Sequence, residues 1–377
     1  MTTDVRPSPL SPDPAGPEPQ APQRTRRRRI LRVGSSSWVV RPRMLVTMAV
    51  AVAITLLLFL LSVGISDYPM SPIDVARVLL GGGTRIENVV VFDVSLPRAL
   101  VSLLVGFGFG MAGALTQLIA RNPLATPDIL GITAGASAAA VAAIAFSTSW
   151  GAWLAGLGVP VAALIGGFAT AIVMYLLAWP GRSANIGIDP FRLVIIGVGV
   201  TWMLQALTSY MLTRAQIADA ARAQTWLVGS VSQATWSDVW PATIAVGVGV
   251  AVVIWMSRAI GILGLGSEVA RGLGVNAGRV TTILLIVAVL VAALCVSAAG
   301  PIAFVALLAP QIALRLTGSP LPTPLASGIV GAILVLGGDL LCRTLLPGGL
   351  PVGIVTAAIG GPCLIYLMIA MSRKATV

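Results

Sequence analysis

The chain has 377 residues, of which 57% are hydrophobic and only 10% charged, with a net charge of +11; its mean hydropathy is +0.95. A soluble domain carries about 25% charged residues, so this balance excludes a large soluble core and points to an all-α polytopic membrane protein. The chain has no His and a single Lys, Lys374 near its end. A His-based triad, an HExxH zinc site, a haem His ligand and a Walker A loop are thereby excluded.

The first 43 residues hold nine Arg, five of them in "RTRRRR" (24–29), behind the Pro-rich "PSPLSPDPAGPEPQAPQ". That composition cannot bury an apolar core, and 1–43 is read as a disordered tail. A basic run beside a membrane span marks the cytoplasmic side rather than a nucleic-acid site. No small-residue cleavage site follows the first apolar stretch in the manner of a signal peptide.

A span needs about 20 apolar residues. About ten candidates follow, near 44–64, 97–119, 129–147, 153–179, 191–213, 240–257, 281–299, 302–317, 324–342 and 351–372. The eighth is short, follows Gly300-Pro301 and contains Pro310, so a bent or incomplete crossing is expected there. With the first end inside, ten crossings return the other end to the cytoplasm. The segments so assigned to the cytoplasm carry 18 Arg and Lys and the outer ones six, in line with the positive-inside rule.

Between the first two spans, "SPIDVARVLLGGG" (71–83) reads as a short amphipathic helix on the outer surface, capped by Ser71. The second to fourth spans are rich in Gly and Ala, as in "VGFGFGMAGA" (105–114), which suits close helix packing in lipid. Spans two to five and seven to ten form two four-helix blocks. Five spans separate their corresponding members, an odd number, so the blocks are inverted, as in many transporters.

The fifth and sixth spans are joined by "DAARAQTWLVGSVSQATWSDVWP" (219–241), an outer segment with three Trp. These read either as interface anchors or as parts of a gate, with Trp226, Gly229 and Ser230 as pathway candidates. After the sixth span the chain breaks into "GSEVARGLGVNAGR" (266–279), small and charged between oily neighbours. The topology puts it in the cytoplasm, within a segment bounded at about 258–281. Glu268, Arg271 and Arg279 offer charge there, and Gly272 and Gly274 allow a sharp turn.

Asp339 is the one acidic residue well inside an expected span, and Arg343 lies four residues on. An intramembrane carboxylate is a functional candidate; the alternative is an i,i+4 pair that neutralises itself. Cys295, Cys342 and Cys363 have no metal-ligand spacing and read as small packing residues.

Four blocks together carry a family resemblance. "LPRALVSLLVGFGFGMAGALTQLIARNPLATPDILGITAGASAAA" (96–140), "LGSEVARGLGV" (265–275), "GPIAFVALLAPQIALRLTG" (300–318) and "LPVGIVTAAIGGPCLIYLM" (350–368) resemble, in order and spacing, the FecCD-type permeases of bacterial ABC importers for ferric siderophores, haem and cobalamin. The likeness runs from about residue 44 to 374 and leaves the tail outside.

It implies a type II importer fold of ten spans with both ends inside, and a 44–377 transmembrane permease domain. It implies a non-catalytic subunit of the cell membrane that forms half of a translocation path with a second permease. ATP and Mg would belong to two cytoplasmic ATPase subunits, and a substrate-binding protein would dock outside. No cofactor and no nucleic acid is expected on this chain.

By resemblance, Leu265, Ser267, Glu268, Arg271, Gly272, Leu273 and Gly274 form the segment that couples to the ATPase. Arg98 and Arg343 match the basic residues that meet acidic side chains of the binding protein. Gln311 and Asp339 join Trp226, Gly229 and Ser230 as pathway or gate candidates. Two departures stand out. The family's R-x-P-R is "SLPR" here, with Ser95 in the first position. Its APH is "APQ", with Gln311, the form the resemblance associates with one of two non-identical permeases, so a heterodimer is expected over a pair of identical copies. Ferric siderophore is the expected substrate, with haem or cobalamin as alternatives; an ion-coupled carrier and a scaffold without transport are the competing functions.

Overall fold

The computed structural model describes residues 29–33, 36–40, 42–66, 68, 70–146, 152–178, 190–346 and 350–375. The stretch 1–28, with most of the Arg run, and Arg182 lie outside the described residues. Within the segment expected to be irregular, β1 (Arg29–Val33) and β2 (Ser36–Val40) pair antiparallel, Arg29 opposite Val40 and Val33 opposite Ser36. "RILRV" and "SSWVV" are rich in β-branched and aromatic residues, and the two intervening residues in the sequence, Gly-Ser, favour a hairpin.

Ten apolar helices follow: α1 (Pro42–Gly64), α4 (Leu96–Ala120), α5 (Ile132–Phe146), α6 (Ala152–Ala178), α7 (Pro190–Arg214), α9 (Trp236–Trp255), α12 (Ala277–Ala299), α13 (Val305–Thr317), α14 (Pro324–Thr344) and α15 (Val352–Ala375). Among the described residues eight helical stretches are long and apolar enough to cross a membrane, and α5 and α13 are shorter apolar helices. The ten expected spans are thus all present, and the third, not only the eighth, is short. The chain is a multi-pass membrane protein.

The inverted blocks are visible in the packing. The second span (α4) lies on the ninth (α14) as the seventh (α12) lies on the fourth (α6), and the third packs on the fourth as the eighth packs on the ninth. The two short helices, α5 and α13, occupy equivalent places. The core runs through α4, α12 and the ends of α9 and α13, with Met111, Leu115, Leu284, Val291 and Cys295 fully buried. In contrast α1 buries only Ala51, Ser62, Val63 and Gly64 and turns Leu45, Val50, Leu56 and Leu57 outward.

Glycine decides how closely α4 meets α14 and α13. A Cβ on Gly106 would sit 2.5 Å from the Gly331 carbonyl oxygen, one on Gly110 would overlap the Ser327 carbonyl, and one on Gly113 the Ala306 carbonyl. Backbone cannot yield as a side chain can, so Gly113→Leu should cost more than the about 1–3 kcal/mol of ordinary overpacking. The expected result is loss of monodisperse protein on size exclusion after detergent extraction; a normal elution profile and yield would contradict this packing.

Outside the spans, α2 (Pro72–Leu79) is the expected amphipathic helix, with Ser71 as its cap. The Ser71 hydroxyl donates to the Asp74 carboxylate at 2.6 Å; that bond, helped by Arg77, holds the carboxyl below its ordinary range. α3 (Arg85–Val89) starts with a reciprocal Thr84–Glu87 capping box. A π-helical turn, Val90–Ser95, joins α3 to α4, closed by the Leu96 N–H on the Val91 carbonyl. The next residue, Pro97, has no N–H to continue the ordinary ladder.

Candidate functional site

Three places in this fold carry chemistry. The first is the segment between α9 and α12. The chain leaves α9 into two short helices, α10 (Ser257–Leu263) and α11 (Ser267–Gly272), before Asn276 caps α12 by accepting the Arg279 N–H at 3.1 Å. Gly266 (φ 120°) and Gly274 (φ 78°) make the turns on either side of α11, in the left-handed region that favours glycine. Gly272 was expected to share that task. It lies instead inside α11, which closes through the Val275 N–H on the Ala270 carbonyl and the Gly274 N–H on the Arg271 carbonyl.

One side of this pair is anchored. Leu263 and Ala270 are buried, with Val275 packed behind them. The other side exposes Leu265 (65%), Val269 (48%) and Leu273 (59%), spaced i, i+4, i+8. Glu268 and Arg271 are exposed beside them, the Arg271 Nε donating to the Ser267 carbonyl at 3.3 Å. The surface is therefore an apolar stripe edged by charge. Val269 was missed in the sequence, although its spacing from Leu265 and Leu273 was the available signal.

The second place is where α4 begins and α14 ends. Arg98 and Arg343, both expected to face a partner, converge on Asp339. Arg98 reaches the carboxylate through Nε (3.2 Å to each oxygen) and Nη2 (2.7 Å). Arg343 holds Oδ2 through Nη2 at 2.6 Å and also bonds the Ser62 hydroxyl and the carbonyls of Ser62 and Ile65. The side chains of Arg98, Asp339 and Arg343 are 19%, 2% and 13% exposed.

The i,i+4 pair that the sequence allowed does form, and Arg98 joins it from 241 residues away. The pair therefore does not neutralise itself within α14 alone, because Arg98 shares the same carboxylate. The cluster ties the end of α1, the start of α4 and the end of α14 together and carries one positive charge more than negative. Among the described residues, Arg343 Nε is buried without a hydrogen-bond partner, while the Arg98 side chain keeps part of its surface exposed.

The third place is a cavity of about 330 Å³ beside the loop after α8. Its wall combines Trp226 and Thr225 of α8 (Ile217–Val228) with Ser230, Gln233, Asp238 and Ser297. The loop after α8 is held there by close backbone approach: the Ser230 N–H donates to the Ala299 carbonyl at 2.9 Å, and the Gly353 N–H to the Gly229 carbonyl at 3.1 Å. Trp226 and Ser230 thus reach one cavity, with Gly229 at its hinge.

Gln311 and Asp339 do not line that cavity. Gln311 is buried and donates to Gln117 at 2.7 Å, and Gln117 donates on to the Leu307 carbonyl at 3.1 Å. This is a helix–helix polar contact between α13 and α4. Cys295 and Cys342 are buried and Cys363 half-buried, all three free.

The comparisons with known proteins agree with this architecture. The model of the FecCD transport family matches residues 54–370. The chain is 36% identical over 329 residues to the iron(3+)-hydroxamate import system permease protein FhuG of Bacillus subtilis (strain 168), covering 86% of this chain and 96% of that one. It is 37% identical over 303 residues to the ferric enterobactin transport system permease protein FepG of Escherichia coli (strain K12), covering 80% and 88%. The fold is that of a metal-chelate type ABC transporter solved in an inward-facing conformation, with a TM-score of 0.72, 24% identity, and coverage of 86% of this chain and 99% of that chain. With its inverted blocks and a family match spanning all ten apolar helices, the chain belongs to the FecCD transport family of permeases.

Proposed function

We propose that this chain is a permease subunit of an ATP-driven importer for ferric siderophores in a bacterial plasma membrane, with both ends in the cytoplasm. The observation that carries the reading is the α10–α11 surface: apolar Leu265, Val269 and Leu273, half to two-thirds exposed outside the spans on an anchored base. A patch of that kind rimmed by charge marks a protein contact. A chain without a P-loop takes its energy from an ion gradient or from a partner chain, and this surface favours the partner. The stripe, flanked by Ser267, Glu268, Arg271, Gly272 and Gly274, docks a cytoplasmic ATPase, which binds ATP and Mg. Two ATPases and a second permease, a non-identical homologue, complete the membrane assembly.

A substrate-binding protein docks outside. The excess positive charge at Arg98 and Arg343, with one edge of Arg98 open, suits its acidic side chains. Trp226, Gly229 and Ser230 belong to the path or its gate. The substrate class rests on relatives named for iron(3+)-hydroxamate and ferric enterobactin. Ion-coupled transport is disfavoured because Asp339, the carboxylate in the interior of the described spans, is engaged by two guanidiniums in a structural ion-pair cluster.

Uptake of radioiron by a deletion strain, supplied as a ferric trihydroxamate or a ferric triscatecholate, tests the reading. At least one should fall to background and recover with the gene. Unchanged uptake of both, with loss of labelled haem or cobalamin uptake instead, would move the substrate to those classes.

A further inference from the structure

Five glycines lie between residues 261 and 274. A Cβ on Gly261, Gly266, Gly272 or Gly274 would meet nothing within 4 Å, but one on Gly264 would overlap Leu321 Cδ1 and lie 3.4 Å from its Cγ. Gly264 is the C-cap of α10 with φ −62° and ψ −22°, a conformation open to any residue. Its want of a side chain is therefore explained by the neighbour, not by the turn. Leu321 fills the space, half-buried, in a region where Ile260 and Ile262 also pack on the core.

Leu321 stands in "GSPLPT" (318–323), the connection from α13 to α14. Pro320 and Pro322 flank it; each proline fixes its own φ and restricts the residue before it, so Leu321 is presented on a stiff arm. The two helices leaving that arm are themselves tied. Arg43 of α1 donates to the Arg315 and Leu316 carbonyls at 3.0 and 3.3 Å, capping the end of α13. At its other end α13 begins at Phe304, whose ring lies where a Cβ on Gly360 of α15 would be, and just before it the Pro301 carbonyl abuts Gly229 beside the cavity after α8. α14 ends in the Arg98–Asp339–Arg343 cluster.

From this arrangement we infer that Leu321, seated on Gly264, is a positioning residue that carries displacement of the coupling helices into the α13–α14 pair. The inference rests on the reading of the chain as an ATP-driven permease. In it α10 and α11 have two faces: the Leu265–Val269–Leu273 stripe receives the ATPase, and the Gly264 notch passes the motion on. Neither Leu321 nor Gly264 is part of the stripe, so changes there spare assembly and act on the yield of transport per ATP.

The test uses the complete importer, isolated through a tag on this chain and compared in liposomes for ATP hydrolysis and radioiron uptake. Leu321→Ala should leave co-purification of the ATPase unchanged and lower uptake per ATP by about fivefold, as should Gly264→Ala, which puts a methyl group where Leu321 sits. The double variant refills the vacated space, so it should recover most of the lost uptake, a non-additive outcome that a loss of general stability would not produce. Leu321→Met, of similar volume, should stay near wild type.

Wild-type uptake per ATP in both single variants overturns the inference, as does a double variant impaired by the product of the two effects. Loss of the ATPase from either purified single variant also overturns it, since Leu321 would then be holding the segment folded. If the wild-type importer itself transports nothing in an ATP-dependent way, the functional reading fails first and the relay with it.

Discussion

Changing Val269 and Leu273 together to Asp should reduce uptake by more than tenfold and strip the ATPase from the purified complex. Both side chains are half exposed or more on the surface of the α10–α11 pair, so the permease has little to lose when they become polar. A groove on a partner has much to lose. Fully burying a Val or Leu is worth about 1.5–3 kcal/mol each, and each 1.4 kcal/mol is about a factor of ten in affinity. Two introduced carboxylates add the cost of burying charge without a partner. Folding is read from thermal unfolding of the detergent-solubilised chain, which should match wild type within about 2 °C. If the ATPase still co-purifies in normal amount, the stripe is not the docking surface, and the charged residues beside it would have to carry the contact.

Asp339→Asn should destabilise the fold more than any other single exchange at the outer face. The carboxylate accepts from Arg98 through two nitrogens and from Arg343 through one, and is almost wholly buried. An amide keeps one acceptor oxygen and turns an NH2 toward a guanidinium. Two cations would then face each other in a poorly solvated place. Removing one partner of a buried ion pair costs about 3–5 kcal/mol; Arg98 retains some water, which places the expectation at the lower end. The unfolding midpoint should fall by at least about 5 °C. Arg98→Met combined with Asp339→Asn should be less damaged than Asp339→Asn alone, because one stranded charge is gone. A single variant with an unchanged midpoint would show that water, not Asp339, satisfies the arginines.

Much of the architecture was legible in particular stretches of the chain. Spans are announced by length and hydropathy because lipid offers no hydrogen bonds to the backbone, and the ten apolar runs became ten helices within a few residues. Ser71 capped its helix as read, since a cap depends on residues three apart. The break at 266–279 became a short helix and turn between α9 and α12 for the same local reason: charge and glycine cannot continue an apolar span.

The candidate sites were less legible. Asp339 and Arg343 announced themselves as an i,i+4 pair, but Arg98 is far off in sequence and only packing of α4 on α14 brings it in. Gln311 entered as a pathway candidate through the resemblance; in the fold Gln117 of another helix accepts its hydrogen bond in the buried interior. Gly272 and Gly274 looked alike as letters, yet only the second takes a positive φ, because α11 ends after the first.

The sequence by itself determined that the chain is a multi-pass membrane protein, roughly where its apolar helices begin and end, and that it contains no P-loop motif. Those properties follow from transfer energies and local geometry, which sum along the chain. The tertiary structure alone decided that Arg98 joins the Asp339–Arg343 pair, that two glutamines bond across helices, and that Leu321 occupies the place of a side chain on Gly264. Each depends on which helix faces are turned toward one another, and that is settled by the close approach of α4, α13 and α14, where backbone meets backbone at glycine.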